Sequence, residues 1–162
     1  MKRVAVFSDS HGMTSRLREA AMIALQRGRV DVAVFLGDGQ GDFRAVAPLF
    51  QDAECLSVRG NNDFGFSVPQ ELAFTVNGAR FYACHGHQWH VKYGLERLCY
   101  AAREREARVA LFGHTHQSFL QYEYGIWLVN PGAVCSPGTR GFACADIRVE
   151  DGGAVHAELA RW

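Results

Sequence analysis

The chain of 162 residues, 48% apolar and 21% charged, has the size and composition of a globular domain with its own hydrophobic core. Because 17 basic residues balance 17 acidic ones, the sequence argues against bulk electrostatic binding to nucleic acid or to an anionic membrane. No stretch approaches the ~20 apolar residues of a membrane-spanning helix, and the apolar run at residues 4–7 is too short for a signal peptide.

The cysteines are odd in number, irregularly spaced and without a Cys-x-x-Cys motif, which disfavours a disulfide framework or a thiolate zinc site. We expect most of them to be small buried apolar residues of a cytoplasmic, reduced protein. Because no repeat, low-complexity tract or long linker interrupts the chain, we also expect a single domain over residues 1–162. The cysteines are Cys55, Cys84, Cys99, Cys135 and Cys144.

The first half alternates short strands with amphipathic helices. Continuous apolar runs typical of strands buried on both faces occur at residues 4–7, 32–36 and 56–58. Helices are predicted between them, over residues 17–25 and 43–50. Thr14 or Ser15 is positioned to cap the first helix, and Gly28 to end it. Two successive strand–helix–strand units predict a parallel sheet with right-handed crossovers.

The second half is rich in strand signals. Asn77-Gly78 between two alternating segments predicts a hairpin. A third helix is predicted near residues 95–102 and a buried strand at 109–112. Further strands are predicted at residues 117–124, 126–130, 142–149 and 153–160. A parallel first half and a β-rich second half indicate two sheets packed face to face with helices outside.

Five short polar segments end or directly follow predicted strands. Since ligand sites in α/β sheets gather where the carboxyl ends of strands meet, these loops are predicted to converge although they lie far apart in the sequence. Glycines in four of the segments allow the backbone to turn tightly there. The segments are Asp9-Ser10-His11, Gly37-Asp38, Gly60-Asn61-Asn62-Asp63, His85-Gly86-His87 and Gly113-His114-Thr115-His116.

The side chains of these segments are carboxylates, amides and imidazoles, a mixture that suits manganese, iron, zinc, nickel or cobalt better than a structural zinc ion. Seven such ligands with one shared carboxylate make two incomplete shells, whose open positions can take water and substrate oxygens. Two ions ~3.5–4 Å apart form the clamp used for in-line phosphoryl displacement. The pattern therefore indicates a two-metal phosphoryl-transfer centre.

Each segment also has a purely structural interpretation. An aspartate such as Asp9 commonly caps a following helix, Asn61 and Asn62 suit left-handed turns, and His85 can be a hydrogen-bonded residue at a strand end. Taken singly, each segment is more often structural than functional. Their joint occurrence, in order and at strand ends, favours the metal centre.

With these motifs the chain resembles the small bacterial and archaeal phosphodiesterases of the calcineurin-like metallophosphoesterase superfamily, often described as the YfcE-like family. The eukaryotic retromer subunit Vps29 is similar in fold. The resemblance runs from Val4 to about Arg140 and includes Asn130-Pro131-Gly132 and Pro137. It implies an α/β fold built as a four-layer α-β-β-α sandwich of two mixed sheets, in agreement with the layers predicted from the strands and helices.

The resemblance also implies a ligand role for each motif residue. The first metal would be held by Asp9, His11 and His116. The second metal would be held by Asn61, His85 and His114, and Asp38 would bridge both ions. The expected cofactors are two divalent ions, with manganese first and nickel, iron, zinc or cobalt as alternatives.

One departure from the superfamily pattern concerns the residue after Asn61. Many members carry a histidine there, whereas this chain has Asn62, whose amide donates a hydrogen bond but does not titrate. We therefore expect weak turnover of esters with poor leaving groups. His87 is a candidate substitute donor and His90 a weaker one, and either can instead be a solvent-facing loop residue. Asp63 is expected to orient Asn62 or a metal ligand, or to be a turn residue.

The leading hypothesis is a phosphodiesterase that hydrolyses a small organic or nucleotide substrate with a hydroxide activated by two metal ions. A phosphomonoesterase or nucleotide phosphatase is the enzyme alternative. A Vps29-like protein-binding scaffold is the non-enzyme alternative, and the presence of all seven expected ligands argues against it. A nucleic-acid binder is disfavoured because no basic patch or aromatic platform is evident in the sequence.

Overall fold

The computed structural model describes residues 1–136 and 141–162. Pro137 and Arg140, which contribute to the resemblance, lie outside the described residues. The strands in these ranges are β1 (Lys2–Phe7), β2 (Val32–Phe35), β3 (Glu54–Ser57), β4 (Glu71–Val76), β5 (Ala79–Cys84), β6 (Val109–Leu111), β7 (Phe119–Glu123), β8 (Ile126–Asn130), β9 (Phe142–Val149) and β10 (Val155–Arg161). The helices are α1 (Thr14–Gln26), α2 (Gln40–Val46) and α3 (Glu96–Glu104), with short 3₁₀ turns at Ala47–Leu49 and His87–Trp89.

The strands form two mixed sheets, in the orders β10-β9-β1-β2-β3 and β4-β5-β6-β8-β7. In the first sheet β1, β2 and β3 are parallel, which confirms the two predicted strand–helix–strand units. In the second sheet β5, β6 and β8 are parallel, and the edge strands β4 and β7 pair antiparallel with their neighbours. The predicted hairpin is β4–β5, and its turn residues Asn77 and Gly78 have positive φ angles of 45° and 81°.

Helices cover the outer faces of the two sheets, which share one apolar core between them. Val4 and Val34 of the first sheet belong to the same buried cluster as Phe81 and Leu111 of the second. A second cluster packs α1 and α2 against the first sheet, and a third packs α3 against the second sheet. These layers confirm the α-β-β-α sandwich.

Strand β1 shows why the apolar runs are continuous rather than alternating. Val4 and Val6 face the core between the sheets, whereas Ala5 and Phe7 face the helical layer, so all four are completely buried.

The start of α1 differs from the prediction. Met13 occupies the N-cap position, and no side-chain hydrogen bond caps the helix. The hydroxyl of Thr14 donates instead to the Asp42 carboxylate, and Ser15 lies inside the first turn. Within the described ranges, no helix combines the length and apolar character needed to cross a membrane.

Candidate metal centre

The segment after β1 turns sharply beside the end of β2. The Asp9 N–H donates to the Gly37 carbonyl and the His11 N–H to the Asp38 carbonyl, both at 3.0 Å. Asp9 and His11 adopt left-handed backbone conformations, with φ of 55° and 45°. These bonds hold both side chains at the same edge of the sheet as the loop after β2.

Asp63 joins the loops that follow β2 and β3. Its Oδ2 atom accepts hydrogen bonds from the N–H groups of Asp38 (2.7 Å) and Gly60 (2.8 Å). Its Oδ1 atom accepts from those of Gly39 (2.9 Å) and Gln40 (3.1 Å). The side chain is 5% exposed. Because backbone donors occupy both oxygens, Asp63 positions the two loops relative to each other.

The same two loops touch at Gly60, where no side chain fits. A Cβ atom there would overlap Asp38 Oδ1 and would lie 2.5 Å from the Asp38 nitrogen. The glycine therefore lets the loop after β3, residues 60–63, approach the predicted bridging carboxylate of Asp38 directly.

His85 is fully buried at the end of β5, and its two ring nitrogens have different neighbours. Nδ1 lies 2.7 Å from the Leu36 carbonyl oxygen, so we assign the ring proton to Nδ1. Nε2 keeps its lone pair and lies 3.3 Å from Asp38 Oδ2 and 3.9 Å from Asp9 Oδ1. The carbonyl thus orients His85 as a ligand donor toward both carboxylates.

The segment after β6 brings two further imidazoles to the cluster. The His114 N–H donates to Asp9 Oδ2 at 3.1 Å, and the His114 ring centroid lies 5.1 Å from that of His85. His116 Nε2 lies 3.2 Å from Asp9 Oδ1 and 3.2 Å from His11 Nε2. Six of the seven predicted ligands, two carboxylates and four imidazoles, are therefore close neighbours.

Buried atoms in this cluster fit a cation. Asp9 Oδ1 and His85 Nε2 have no hydrogen-bond partner within the described part of the chain. An unpaired buried polar atom costs about 1–3 kcal/mol, and a divalent ion would satisfy both. Asp9, His11 and Asp38 each present a donor atom within 4.8 Å of the other two. Carboxylate and imidazole donors are those expected for a divalent first-row metal.

The electrostatics of the cluster keep the carboxylates ionised. Burial alone would raise the pKa of Asp9, but the neighbouring His116 and His85 lower it. Burial would also raise the pKa of Asp38, but the neighbouring His85 lowers it. Burial would lower the pKa of His85, yet Asp38 and Asp9 raise it. For His116, the adjacent Asp9 carboxylate raises the pKa.

His114 differs from these two imidazoles. Burial and the neighbouring His85 lower the pKa of His114 to about 4, so its ring is neutral and able to bind metal over the whole neutral range.

The predicted residues of the third segment have different surroundings. Asn61 is exposed and lines a surface depression of about 380 Å³. Asn62 donates to both oxygens of Asp38, from its N–H to Oδ1 (2.8 Å) and from its side-chain nitrogen to Oδ2 (2.9 Å). Asn62 therefore orients the Asp38 carboxylate.

The two candidate substitute donors are separated. His87 lines the same depression as Asn61, and its Nδ1 atom has no hydrogen-bond partner among the described residues. Burial and the neighbouring His85 lower its pKa. His90 is exposed and lines a different cavity together with Trp89. Of the two, the structure brings only His87 next to the cluster.

Asp42, a buried carboxylate of α2, also supports the site and was not predicted from the sequence. It accepts hydrogen bonds from the Ser10 hydroxyl (2.6 Å) and the Gly12 N–H (2.9 Å), and from the Thr14 hydroxyl. These contacts fix the loop that carries the first two ligands. The available signal was a second aspartate four residues after Asp38, on the first turn of a short helix.

The expectation that most cysteines are buried is wrong. Cys84 and Cys144 are buried, whereas Cys55 is exposed and Cys99 and Cys135 are half-buried. Cys135 lies at the cluster because the backbone after β8 returns to the loop after β1, a proximity that no short-range sequence pattern reveals.

Comparisons with known proteins identify the family of the chain. The profile of the calcineurin-like phosphoesterase superfamily domain matches residues 1–150. A probable metallophosphoesterase of Bacillus subtilis, YsnB, is 31% identical over 139 residues, covering 85% of this chain and 78% of its own length. A crystal structure of a predicted phosphoesterase from Streptococcus pneumoniae has a TM-score of 0.76 at 25% identity, covering 99% of this chain and 98% of that one.

Two more distant structures show the fold alone. An archaeal phosphodiesterase has a TM-score of 0.72 at 19% identity and covers 97% of this chain and 99% of its own. Vps29 from Entamoeba histolytica has a TM-score of 0.72 at 18% identity and covers 99% of both chains. From the profile match and the Bacillus relative, the chain belongs to the calcineurin-like phosphoesterase superfamily and is a metal-dependent phosphoesterase.

Proposed function

We propose that the protein is a phosphodiesterase that uses two divalent ions to hydrolyse a small organic or nucleotide phosphodiester. The observation that carries this proposal is the position of the Asp38 carboxylate between two sets of imidazoles. Its Oδ2 atom lies 3.6 Å from His11 Nε2, of the first set, and 3.3 Å from His85 Nε2, of the second. A carboxylate between two donor groups is suited to bridge two ions.

The donors divide into two sets around that carboxylate. Asp9, His11 and His116 would hold one ion. Asn61, His85 and His114 would hold the other, with Asp38 shared. When bound, the two ions make a water nucleophilic near neutral pH and neutralise charge on the phosphoryl oxygens. Manganese is the expected ion, since the carboxylate and amide oxygens among the donors suit it.

The chain's own residues set the orientation of these donors. Asn62 fixes both oxygens of Asp38, and Asp63 holds the backbone on either side of it. The Leu36 carbonyl keeps the proton of His85 on Nδ1, away from the cluster. Such preorganised contacts keep ligands in place without rearrangement during the reaction.

The depression beside the cluster supports an ester with a substantial leaving group. Its volume of about 380 Å³ lies within the ~300–1,000 Å³ range of ligand pockets. Arg59, Phe64, Gln70 and His87 line it. Phe64 is 83% exposed and offers a stacking surface, and Arg59 forms no ion pair within the described ranges. An aromatic face beside a free guanidinium suits a nucleotide better than an aliphatic alcohol.

The test compares initial rates on a model phosphodiester and a matched monoester with added manganese. We expect faster diester hydrolysis, and equal or better monoester turnover would favour the phosphatase alternative. Asp38→Ala should abolish both activities and leave the far-ultraviolet circular dichroism spectrum unchanged. Retained activity in that variant would contradict the assigned centre.

The scaffold alternative predicts a different metal content. A phosphoesterase should bind about two manganese ions per chain after loading and dialysis, as the ligand sets require, whereas a protein-binding scaffold has no need of them. Near-zero bound metal would favour the scaffold. The free cysteines of the structure support the expected reducing, cytoplasmic setting.

A further inference from the structure

Cys135 places a sulfur atom at the predicted metal cluster. Its Sγ atom and one ring nitrogen each of His11 and His116 all lie within 4.8 Å of one another. The two imidazoles are themselves 3.2 Å apart at Nε2. The thiol is thus a neighbour of two of the three donors assigned to the first ion.

Backbone hydrogen bonds hold the main chain of Cys135 beside the cluster. The Val134 N–H donates to the Ser8 carbonyl and the Cys135 N–H donates to the Asp9 carbonyl, both at 3.0 Å. The backbone of residue 135 is therefore tied to the same peptide segment that carries Asp9.

Packing gives Cys135 no other evident role. Cys84 and Cys144 belong to buried apolar clusters, and Cys99 packs against one of them. Cys135 belongs to none of the apolar clusters formed by the described residues. A cysteine retained for packing alone would be expected in such a cluster.

An independent observation indicates a ligand at this place. Asp9 is completely buried, and its Oδ1 atom has no hydrogen-bond partner in the part of the chain that the structure describes. That oxygen lies 3.2 Å from His116 Nε2 and 3.6 Å from His11 Nε2, the same two imidazoles that the sulfur approaches. The unpaired carboxylate oxygen and the thiol therefore converge on the same two imidazole rings.

We propose that Cys135 is an additional ligand of the ion held by Asp9, His11 and His116, and that its thiolate makes this position selective for a thiophilic ion such as zinc or cobalt. The inference rests on the proposed function, because it concerns the same ion. Thiolate and imidazole donors favour zinc and cobalt over manganese, which prefers oxygen. A Cys135 ligand therefore replaces the expectation of manganese at the first ion with zinc or cobalt, and the expectation for the second ion is unchanged.

The thiol does not need to be ionised beforehand. Burial raises the pKa of Cys135 in the metal-free protein, but a coordinating ion deprotonates a thiol outright. The thiolate therefore forms together with the bound ion.

The test is electronic absorption of the whole chain loaded with cobalt(II). A cobalt–thiolate bond gives an intense near-ultraviolet charge-transfer band, and bound cobalt gives visible ligand-field bands whether or not sulfur is present. We expect both sets of bands in the wild-type protein. Cys135→Ser should keep the visible bands and lose the near-ultraviolet band, and Cys99→Ser, which alters another half-buried cysteine, should keep both.

Affinity provides a second measurement. Zinc affinity is measured by competition with a chelating dye. Loss of a residue that only hydrogen-bonds to a metal ligand weakens binding ~10–100-fold, so loss of a direct ligand in Cys135→Ser should weaken zinc binding by at least that factor. Manganese binding should change little.

The outcomes separate the two proposals. Visible bands without a charge-transfer band in the wild-type protein would overturn the role of Cys135 and leave the metal centre intact. A charge-transfer band that survives in Cys135→Ser would overturn it as well. Absence of all cobalt bands would contradict both the centre and this inference.

Discussion

Replacing Asp63 with asparagine tests whether one buried carboxylate holds two ligand loops together. Each oxygen of Asp63 accepts two backbone N–H groups, from Asp38 and Gly60 on Oδ2 and from Gly39 and Gln40 on Oδ1. Asparagine has the same shape, but one of its two positions becomes an NH₂ donor. Whichever way the amide is oriented, two of the four backbone donors lose their acceptor.

The expected loss of stability follows from those two bonds. Hydrogen bonds to a charged group contribute about 1.5–3 kcal/mol each, so losing two removes about 3–6 kcal/mol. Because the loops lie at the edge of the sheet and can relax, we expect a loss of about 3–4 kcal/mol in the free energy of unfolding. For a chain of this length, that loss lowers the melting temperature by about 6–16 °C.

The measurement is urea unfolding of the metal-free protein, followed by circular dichroism. The matched control is Asp52→Asn, at an exposed turn aspartate whose side chain makes no hydrogen bond within the described residues. The control should change the free energy of unfolding by less than about 0.5 kcal/mol. Manganese affinity should fall in Asp63→Asn only, since the loops bearing Asp38 and Asn61 lose their common anchor.

A loss below about 1 kcal/mol with unchanged manganese affinity would refute this reasoning. It would mean that the strand ends alone position the ligand loops and that the four hydrogen bonds are replaceable by water.

Three further changes test other parts of the centre. Acidification should weaken metal binding, because Asp9 raises the pKa of His116 and Asp38, against burial, raises that of His85. Because the pKa of these imidazoles is raised, protons compete with the metal for the ring nitrogens already above about pH 6.5, the ordinary imidazole value. A metal affinity, measured by calorimetry, that stays constant down to about pH 6 would contradict this direction. Gly60→Ala should displace the loop after β3, lower the free energy of unfolding by about 1–3 kcal/mol and weaken metal binding. Gly152→Ala is the control, because a Cβ atom there meets nothing within 4 Å, and it should change neither quantity in the same unfolding and binding assays. Asn62→His should raise turnover of esters with poor leaving groups relative to good ones, and an unchanged ratio would show that residue 62 only orients Asp38.

Much of the fold followed from local sequence patterns. The run at residues 4–7 predicted a strand buried on both faces, and β1 is buried by a sheet on one side and helices on the other. Asn77-Gly78 predicted the hairpin because few other residues accept two successive positive φ angles. The cap of α1 was mispredicted because Thr14 has a partner, Asp42, that lies far away in sequence.

The site was predictable where its ligands lie at strand ends and was missed where long-range backbone contacts place a residue. The strand-end rule indicated His85 and His114, and the structure brings their rings within 5.1 Å. Cys135 reaches the cluster through a hydrogen bond to the Asp9 carbonyl, and the Asp42 carboxylate of α2 contacts the loop after β1 by accepting its hydrogen bonds. Such pairings depend on the packed fold and leave no periodic signal.

Backbone conformation explains why these ligands remain in place. Five of the seven predicted ligands have left-handed φ angles between 45° and 67°, namely Asp9, His11, Asp38, His114 and His116. Outside glycine, such conformations cost about 1–2 kcal/mol each, although aspartate tolerates them better than most residues. Together they store several kcal/mol, which the surrounding contacts must offset.

Those contacts run between loops: the Asp9 N–H donates to the Gly37 carbonyl, the His11 N–H donates to the Asp38 carbonyl, and the Asp38 N–H donates to Asp63. Asp9 and His11 are therefore held by the loop after β2, and Asp38 by the loop after β3. Loss of one anchor should release several ligands at once, so the centre should weaken cooperatively and not one ligand at a time.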